Sequence, residues 1–139
     1  MNQELFTISR AEKLLPKVKG LLRKAMFLNS QLQSLRSELV LGEEEIQVET
    51  EDQNIRYKFE LVKDHDLLNQ LTEDFYESLE AIQKLGCHVK DVEQGLIDFP
   101  AEFEGRTVFL CWKLGEDRIQ FWHELDTGFK DRQKIVELS

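Results

Sequence analysis

Residues 14–39 read LLPKVKGLLRKAMFLNSQLQSLRSEL, and their spacing of apolar residues is the strongest structural signal in the chain. Its apolar positions alternate steps of four and three: Leu14, Val18, Leu21, Ala25, Leu28, Leu32, Leu35 and Leu39. That spacing averages about 3.5 residues, the period of a coiled-coil seam, so it predicts a long helix that packs on a second helix. The helix is expected to start at Thr7 or Ser9, with Ser9 and Glu12 at capping-box spacing, and to end before Gly42. Pro16 is expected to bend this helix without dividing it.

A second helix is predicted over about 55–85, ending at Gly86. Its apolar stripe is Leu61, Leu68, Leu71, Phe75, Ile82 and Leu85. Two helices of similar length with a short connection predict an antiparallel hairpin over 7–86. The tip at 42–54 is expected to be an acidic loop, because it carries six carboxylates and no base: Glu43, Glu44, Glu45, Glu49, Glu51 and Asp52.

The width of the first helix's apolar stripe changes at Asn29. Before Asn29 four further apolar residues flank the seam: Leu15, Leu22, Met26 and Phe27. Between Asn29 and Leu39 only the seam residues Leu32, Leu35 and Leu39 are apolar, and so narrow a stripe can pack only on one partner helix. The far half of the hairpin is therefore expected to project as a coiled-coil-like arm.

After Gly86 the pattern changes to short strands, predicted at 87–92, 96–99, 107–114 and 118–125. Pro100 is expected to end the second strand, and Gly115 to lie in the turn of the last hairpin. The fold class is therefore α+β, with a helical hairpin followed by a small, mainly antiparallel four-strand sheet. Residues 1–139 form one domain, with the sheet and a C-terminal tail at 87–139.

The pairing of the last two strands follows from placing their apolar residues on one face. In this register Trp112 lies opposite Ile119, Leu110 opposite Phe121 and Val108 opposite His123. Cys111 and His123 are then on opposite faces. The other face is mixed, with Phe109 beside Trp122.

Composition and charge exclude several classes of protein. The formal net charge of −9 argues against a nucleic-acid partner, because phosphate binding requires a basic surface. No apolar run is long enough for a membrane span, and the first residues lack the apolar core of a signal peptide. A cytoplasmic protein with two reduced cysteines, Cys87 and Cys111, is expected.

The chain contains four ligands of the kind that zinc prefers, Cys87, His88, Cys111 and His123. Their spacing lacks the close pairs of zinc sites, and the predicted register separates Cys111 from His123, so we expect no metal and no cofactor. Cys111 is expected to be a buried, unreactive thiol rather than a nucleophile. A buried Asp98 would need a cationic partner, and Lys90, Arg106 and Arg132 are the candidates.

Three segments carry a family resemblance: FTISRAEKLLP at 6–16, VKDVEQGLIDFPA at 89–101 and VFLCWKLGEDRIQFWHELDTGFKDR at 108–132. They resemble the bacterial domain-of-unknown-function 2203 family. The resemblance implies the helical hairpin and small sheet, supplies no reaction, and groups the polar residues into one locus. The candidate ligand-binding residues there are Lys90, Asp91, Asp98, Trp112, Glu116, Trp122, His123 and Arg132.

Two functions follow from these observations. The first is a non-enzymatic cytoplasmic interaction or assembly module, whose arm and Phe109/Trp122 face form a homo-oligomer, such as a dimer, or bind a protein partner. The alternative is a small-ligand-binding protein or enzyme with a polar pocket beside the C-terminal sheet, in which Trp112 or Trp122 forms a stacking wall.

Overall fold

The computed structural model describes residues 4–46 and 51–135, with side chains described at 4–38 and 65–135. Over these residues, two helices precede five strands. The elements are α1 (Ile8–Ile46), α2 (Glu51–Gln83), β1 (His88–Asp91), β2 (Leu96–Phe103), β3 (Arg106–Lys113), β4 (Phe121–His123) and β5 (Gln133–Lys134). The strands lie in chain order in one sheet, and each pairs antiparallel with the next. The α+β class is confirmed, but the sheet has a fifth strand that the sequence pattern did not predict.

Helix α1 begins where the sequence predicted, directly after Thr7. The Arg10 backbone N–H donates to Thr7 Oγ1 at 3.1 Å, which makes Thr7 the N-cap. The Ser9–Glu12 capping box is wrong, because Glu12 Oε2 instead accepts from the Ile119 N–H at 3.4 Å. One helix continues through Pro16, as expected.

The predicted loop at 42–54 is helical at both ends. Helix α1 runs past Gly42 to Ile46, and α2 already begins at Glu51, while residues 47–50 lie outside the described part of the chain. A glycine inside a helix costs only about 1 kcal/mol, and the glutamates that follow Gly42 are good helix formers. Gly42 alone is therefore too weak a signal to end so long a helix.

The two helices contact each other. Of the predicted seam, Leu14 and Leu21 are only half-buried, and their neighbours Leu15 and Leu22 are buried instead. The buried side chains of α1 are Ala11, Leu15, Val18, Leu22, Ala25, Leu28, Leu32 and Leu35. Within 30–38 only Leu32 and Leu35 are buried, so the stripe narrows where the sequence predicted. Phe27, expected to widen the stripe, is exposed instead. The antiparallel arm itself stays a prediction. No helix in the described part of the chain is long and apolar enough to cross a membrane.

One face of the sheet forms the hydrophobic core with α1. From the sheet it contains Ile97, Phe99, Ala101, Val108, Leu110, Trp112 and Trp122. Helix α2 adds Ile82, and Cys87 and Ile119 enter from connecting segments. Both tryptophans are therefore core residues, as predicted for Trp112 but not for Trp122.

The predicted register between β3 and β4 is wrong by one residue. The observed pairs are Phe109 with His123, Leu110 with Trp122 and Cys111 with Phe121. The connection between the strands spans residues 114–120 rather than a tight turn at Gly115, and Ile119 reaches the core from this loop. Because side chains alternate between faces, this slip moves Trp122 into the core and turns Phe121 and His123 to the opposite face.

Pro100 lies inside β2, which continues to Phe103 instead of ending at Phe99. Its carbonyl accepts a hydrogen bond from the Phe6 N–H at 2.7 Å, on the side of β2 where β1 has already ended. Backbone N and C=O of one strand residue point to the same side, so the missing proline N–H falls on that edge. The pairing of β2 with β3 is unaffected.

Candidate functional site

The face of the sheet turned away from α1 carries most of the polar candidates. Residues paired across neighbouring strands share a face, and the pairs here are His88 with Asp98, Asp98 with Cys111, and Phe109 with His123. Asp98, Cys111 and His123 are buried at about 1% exposure each, and we call them the buried trio. Around it lies an outer cover: Lys90, Phe109, Glu116, Phe121, Phe129 and Arg132.

His123 uses both ring nitrogens. Its Nδ1 lies 2.7 Å from the Glu124 carbonyl oxygen, and because a carbonyl can only accept, Nδ1 carries a proton. Its Nε2 lies 3.0 Å from Asp98 Oδ2, so the carboxyl and the imidazole share a second proton. One oxygen, one nitrogen and the sulfur of the buried trio all lie within 4.8 Å of one another.

Burial dominates the electrostatics of this trio. It raises the pKa of Asp98, and the charge and hydrogen bond of His123, the charge of Lys90 and the side-chain interaction with the Cys111 thiol offset part of that rise. Asp98 Oδ1 is buried without a hydrogen-bond partner among the described residues. Burial, together with the charge of Asp98, raises the pKa of the Cys111 thiol to about 11. The thiol is therefore protonated at neutral pH, as expected for an unreactive cysteine.

The outer cover is held by Arg132. Its guanidinium lies 3.8 Å from the centre of the Phe121 ring and 4.3 Å from that of Phe129. The same group forms a paired hydrogen bond with Glu116, in which Nη2 lies 2.8 Å from Oε2 and Nη1 lies 3.2 Å from Oε1. Glu116 also accepts from the Lys113 N–H at 2.8 Å. Arg132 thus fastens the C-terminal segment over the trio.

Comparison with known protein families places the chain in one of them. The profile of a family described as "Uncharacterized conserved protein (DUF2203)" matches residues 4–135. The chain belongs to the DUF2203 family. No curated protein and no solved structure shows significant similarity to it. The family match confirms the resemblance seen in the sequence, and it includes both helices and all five described strands.

The eight candidate residues of this DUF2203 chain fall into separate groups. Asp98 meets His123, and Glu116 meets Arg132. Lys90 Nζ lies 5.5 Å from the centre of the Phe109 ring, in the outer cover. Asp98 is buried as the sequence suggested, but its partner is His123 rather than any of the three expected cations.

Three candidates have structural roles. Asp91 Oδ1 accepts from the backbone N–H groups of Glu93 and Gln94 at 2.9 and 3.1 Å, which shapes the turn between β1 and β2. Trp112 and Trp122 lie in the core and cannot form the stacking wall that was expected. Trp112 Nε1 donates to the Glu116 carbonyl at 2.9 Å, so it positions the loop that carries Glu116.

The sequence pattern placed Cys111 on the mixed face, but it did not predict that Asp98 and His123 share that face. The signal was present in β2 and β3, where Asp98 and Cys111 are direct partners on two long strands. The wrong register between β3 and β4 placed His123 on the opposite face of the sheet, so the cluster of Asp98, Cys111 and His123 was not predicted. The expected Phe109–Trp122 patch does not form either, because Phe109 instead contacts the rings of His88 and His123 at 5.8 and 5.5 Å.

A cavity of about 960 Å³ lies elsewhere in this DUF2203 chain, at the start of α1. Its lining comes from Leu5, Phe6, Thr7, Ile8, Ser9, Glu12, Lys13, Ala101, Glu102 and Leu110. None of the eight candidate residues lines it. The alternative function, a polar pocket beside the C-terminal sheet, stays a prediction.

Proposed function

We propose that this protein is a non-enzymatic, cytoplasmic assembly module that forms a homodimer through a coiled-coil-like helical arm. The observation that carries the proposal is the exposure of large apolar side chains on both helices. Phe27 of α1 is 62% exposed, and Leu67 and Tyr76 of α2 are 50% and 63% exposed. Burying the exposed part of each side chain against a second copy would stabilise the dimer by about 1–2 kcal/mol.

In the proposed antiparallel hairpin, these three side chains lie at a similar level. Phe27 lies nineteen residues before the end of α1 at Ile46. In α2, Gln70 lies nineteen residues after the start of the helix at Glu51. Gln70 lies between Leu67 and Tyr76. The exposed apolar groups would therefore cluster on one segment of the arm, as the interface of a two-fold dimer requires.

The charges of the helices support a second copy of the chain as the partner. Positions 10–36 of α1 carry seven Lys or Arg and one acidic residue, whereas positions 65–83 of α2 carry five Asp or Glu and no Lys or Arg. Of the ion pairs formed within 4–38 and 65–135, none joins α1 to α2. These opposite charges are thus available to pair between copies, with α1 of one chain beside α2 of the other.

Sedimentation velocity over a range of concentrations tests the proposal. The wild-type chain should sediment as a dimer, and Phe27→Ser should weaken dimerisation at least 10-fold, because about 1.4 kcal/mol of lost burial corresponds to a factor of ten. Leu125→Ser is the matched control, since Leu125 is 54% exposed but lies in the loop after β4. It should leave dimerisation unchanged.

Two results would contradict the proposal. The first is a wild-type chain that remains monomeric at about 100 µM, where even a weak interface of Kd near 10 µM would be mostly dimeric. The second is a Phe27→Ser chain, folded by circular dichroism, that dimerises as well as the wild type does.

A further inference from the structure

We propose that the buried trio is a binding site for a divalent transition metal of the zinc type. Its donors are Asp98 Oδ, Cys111 Sγ and His123 Nε2, one oxygen, one sulfur and one nitrogen. This combination suits Zn²⁺, which takes carboxylate, thiolate and imidazole ligands in tetrahedral sites. The inference is independent of self-association, because it concerns the face of the sheet turned away from α1.

Strand geometry brings the three donors together. Asp98 and Cys111 are direct partners on β2 and β3, and His123 on β4 pairs with Phe109, two residues before Cys111 on the same face. The donor atoms lie within 4.8 Å of one another. Around a tetrahedral zinc ion the ligand atoms stand roughly 3.3–3.8 Å apart, so a small contraction of side chains would complete the site.

Asp98 gives an independent sign of a ligand. Its Oδ1 is fully buried and has no hydrogen-bond partner in the described part of the chain, while Oδ2 contacts His123. Leaving a buried acceptor unpaired costs about 1–3 kcal/mol, and more when the group is charged. A metal ion beside Cys111 and His123 would satisfy this oxygen.

The orientation of His123 is also that of a metal ligand. Metal-binding histidines usually bind through one ring nitrogen and donate the other N–H to a carbonyl or carboxylate. Here Nδ1–H donates to the Glu124 carbonyl at 2.7 Å, which leaves Nε2 directed at the trio. The backbone therefore fixes the tautomer and the position of the ring.

Charges and protons balance when this site binds a divalent ion. Binding M²⁺ would release two protons to solvent, one from the Cys111 thiol and one from the pair formed by Asp98 and His123. The resulting thiolate and carboxylate balance the charge of the ion. With three protein ligands, the fourth tetrahedral position would be taken by water or another small donor.

Cys111 and His123 were predicted on opposite faces of the sheet, which spoke against a metal site, but the observed register places them on the same face. Cys87, the second cysteine of the four zinc-type residues, does lie apart. It is buried in the core, where its thiol donates to the Ile82 carbonyl at 3.5 Å. The proposed site therefore contains one cysteine and gains Asp98.

Cys87 provides the matched control for the test. Protein dialysed against a chelator is titrated with Zn²⁺ by calorimetry and with Co²⁺ by absorbance, where a thiolate ligand gives a charge-transfer band in the near ultraviolet. The wild-type chain and Cys87→Ser should bind one equivalent of each metal with Kd below about 1 µM. Cys111→Ser should lose the band and bind more than about 100-fold more weakly, beyond the 10- to 100-fold effect of an outer-shell change.

Asp98→Asn is a second variant, nearly identical in shape, and should weaken binding at least 10-fold while the cobalt–thiolate band remains at saturating Co²⁺. The proposal is overturned if the wild-type chain binds neither metal at about 100 µM, or binds Co²⁺ without a thiolate band. It is also overturned if the band persists in Cys111→Ser. The wild-type measurements decide the question even if Cys111→Ser does not fold.

Discussion

The contact between Asp98 and His123 is the residue-scale feature that most distinguishes this fold from a plain α+β core. Both side chains are about 1% exposed, and each reaches a polar partner from a different strand. Replacing one partner would leave the other buried and unpaired, which typically costs 3–5 kcal/mol, roughly the loss seen when a buried ion pair is broken. The pair therefore constrains which face each strand presents.

Cys87 permits a prediction about alkaline stability. Burial raises the pKa of its thiol from 9.0 to about 11. The unfolded thiol ionises first, so the stability that depends on the protonated thiol is present below pH 9 and is lost as the pH rises towards 11. A pKa difference of about two between the folded and unfolded chain corresponds to about 2–3 kcal/mol in the free energy of unfolding.

Urea unfolding at pH 8, 9, 10 and 11 measures this effect in wild type and in Cys87→Ser, whose hydroxyl does not titrate. The wild-type free energy of unfolding should fall more steeply between pH 9 and 11 than that of the variant. Cys111, whose thiol pKa is also raised to about 11, stays in both chains and cancels in the difference. Parallel curves would show that the Cys87 thiol is not the titrating group.

For single residues, the sequence predicted which side chains would be unusual better than it predicted which side chains they contact. Asp98 was singled out because it interrupts an apolar run, Leu96 to Phe99, and would need a partner if it were buried. Its partner could not be predicted, because contact with His123 depends on a register that spans three strands. Asp91 shapes a turn, and an aspartate in that role looks the same in sequence as one that binds a ligand.

Among the elements, the helices were more predictable than the sheet. The period of α1 is a local property that repeats over many residues, so a single weak signal such as Gly42 does not change it. Alternation within β3 was equally clear. The pairing of β3 with the three-residue β4 was not, because the length of the ordered loop between them sets the register.

Two glycines allow a matched test of these elements. Gly95, before β2, has a φ of +71°, and a Cβ there would stand 2.9 Å from Leu114 Cβ. Gly20 lies on the exposed side of α1 with no neighbour within 4 Å of such a Cβ. The same substitution should therefore have opposite effects at the two positions.

Gly95→Ala should lower the free energy of unfolding by about 1–3 kcal/mol, through the left-handed backbone and the contact with Leu114. Gly20→Ala should raise it by about 0.5–1 kcal/mol, because alanine is the better helix former. Urea denaturation of both variants beside wild type gives the two values. A Gly95→Ala chain as stable as wild type would argue against the close packing of this turn on β3.

On the scale of the whole molecule, the sheet separates two kinds of chemistry. One face packs with α1 in an apolar core, and the other holds the buried trio under the side chains of the C-terminal segment. Among the side chains of α1 that the structure describes, up to Glu38, the last one packed against the core cluster is Met26, twenty positions before the helix ends. Assembly through the helices and metal binding at the sheet can therefore be tested separately.

The charge distribution of the whole chain predicts how added salt affects dimerisation. If basic α1 of one copy lies beside acidic α2 of the other, added salt should weaken the dimer even though the net charge of each chain is −9. Raising NaCl from about 0.05 to 0.5 M shortens the Debye length from roughly 14 to 4 Å and screens such pairs. We expect dimerisation, measured by sedimentation velocity, to weaken at least 3-fold. A dimer that strengthens with salt would instead indicate that repulsion between the acidic chains outweighs the proposed pairing, and would rule out this arrangement of the helices.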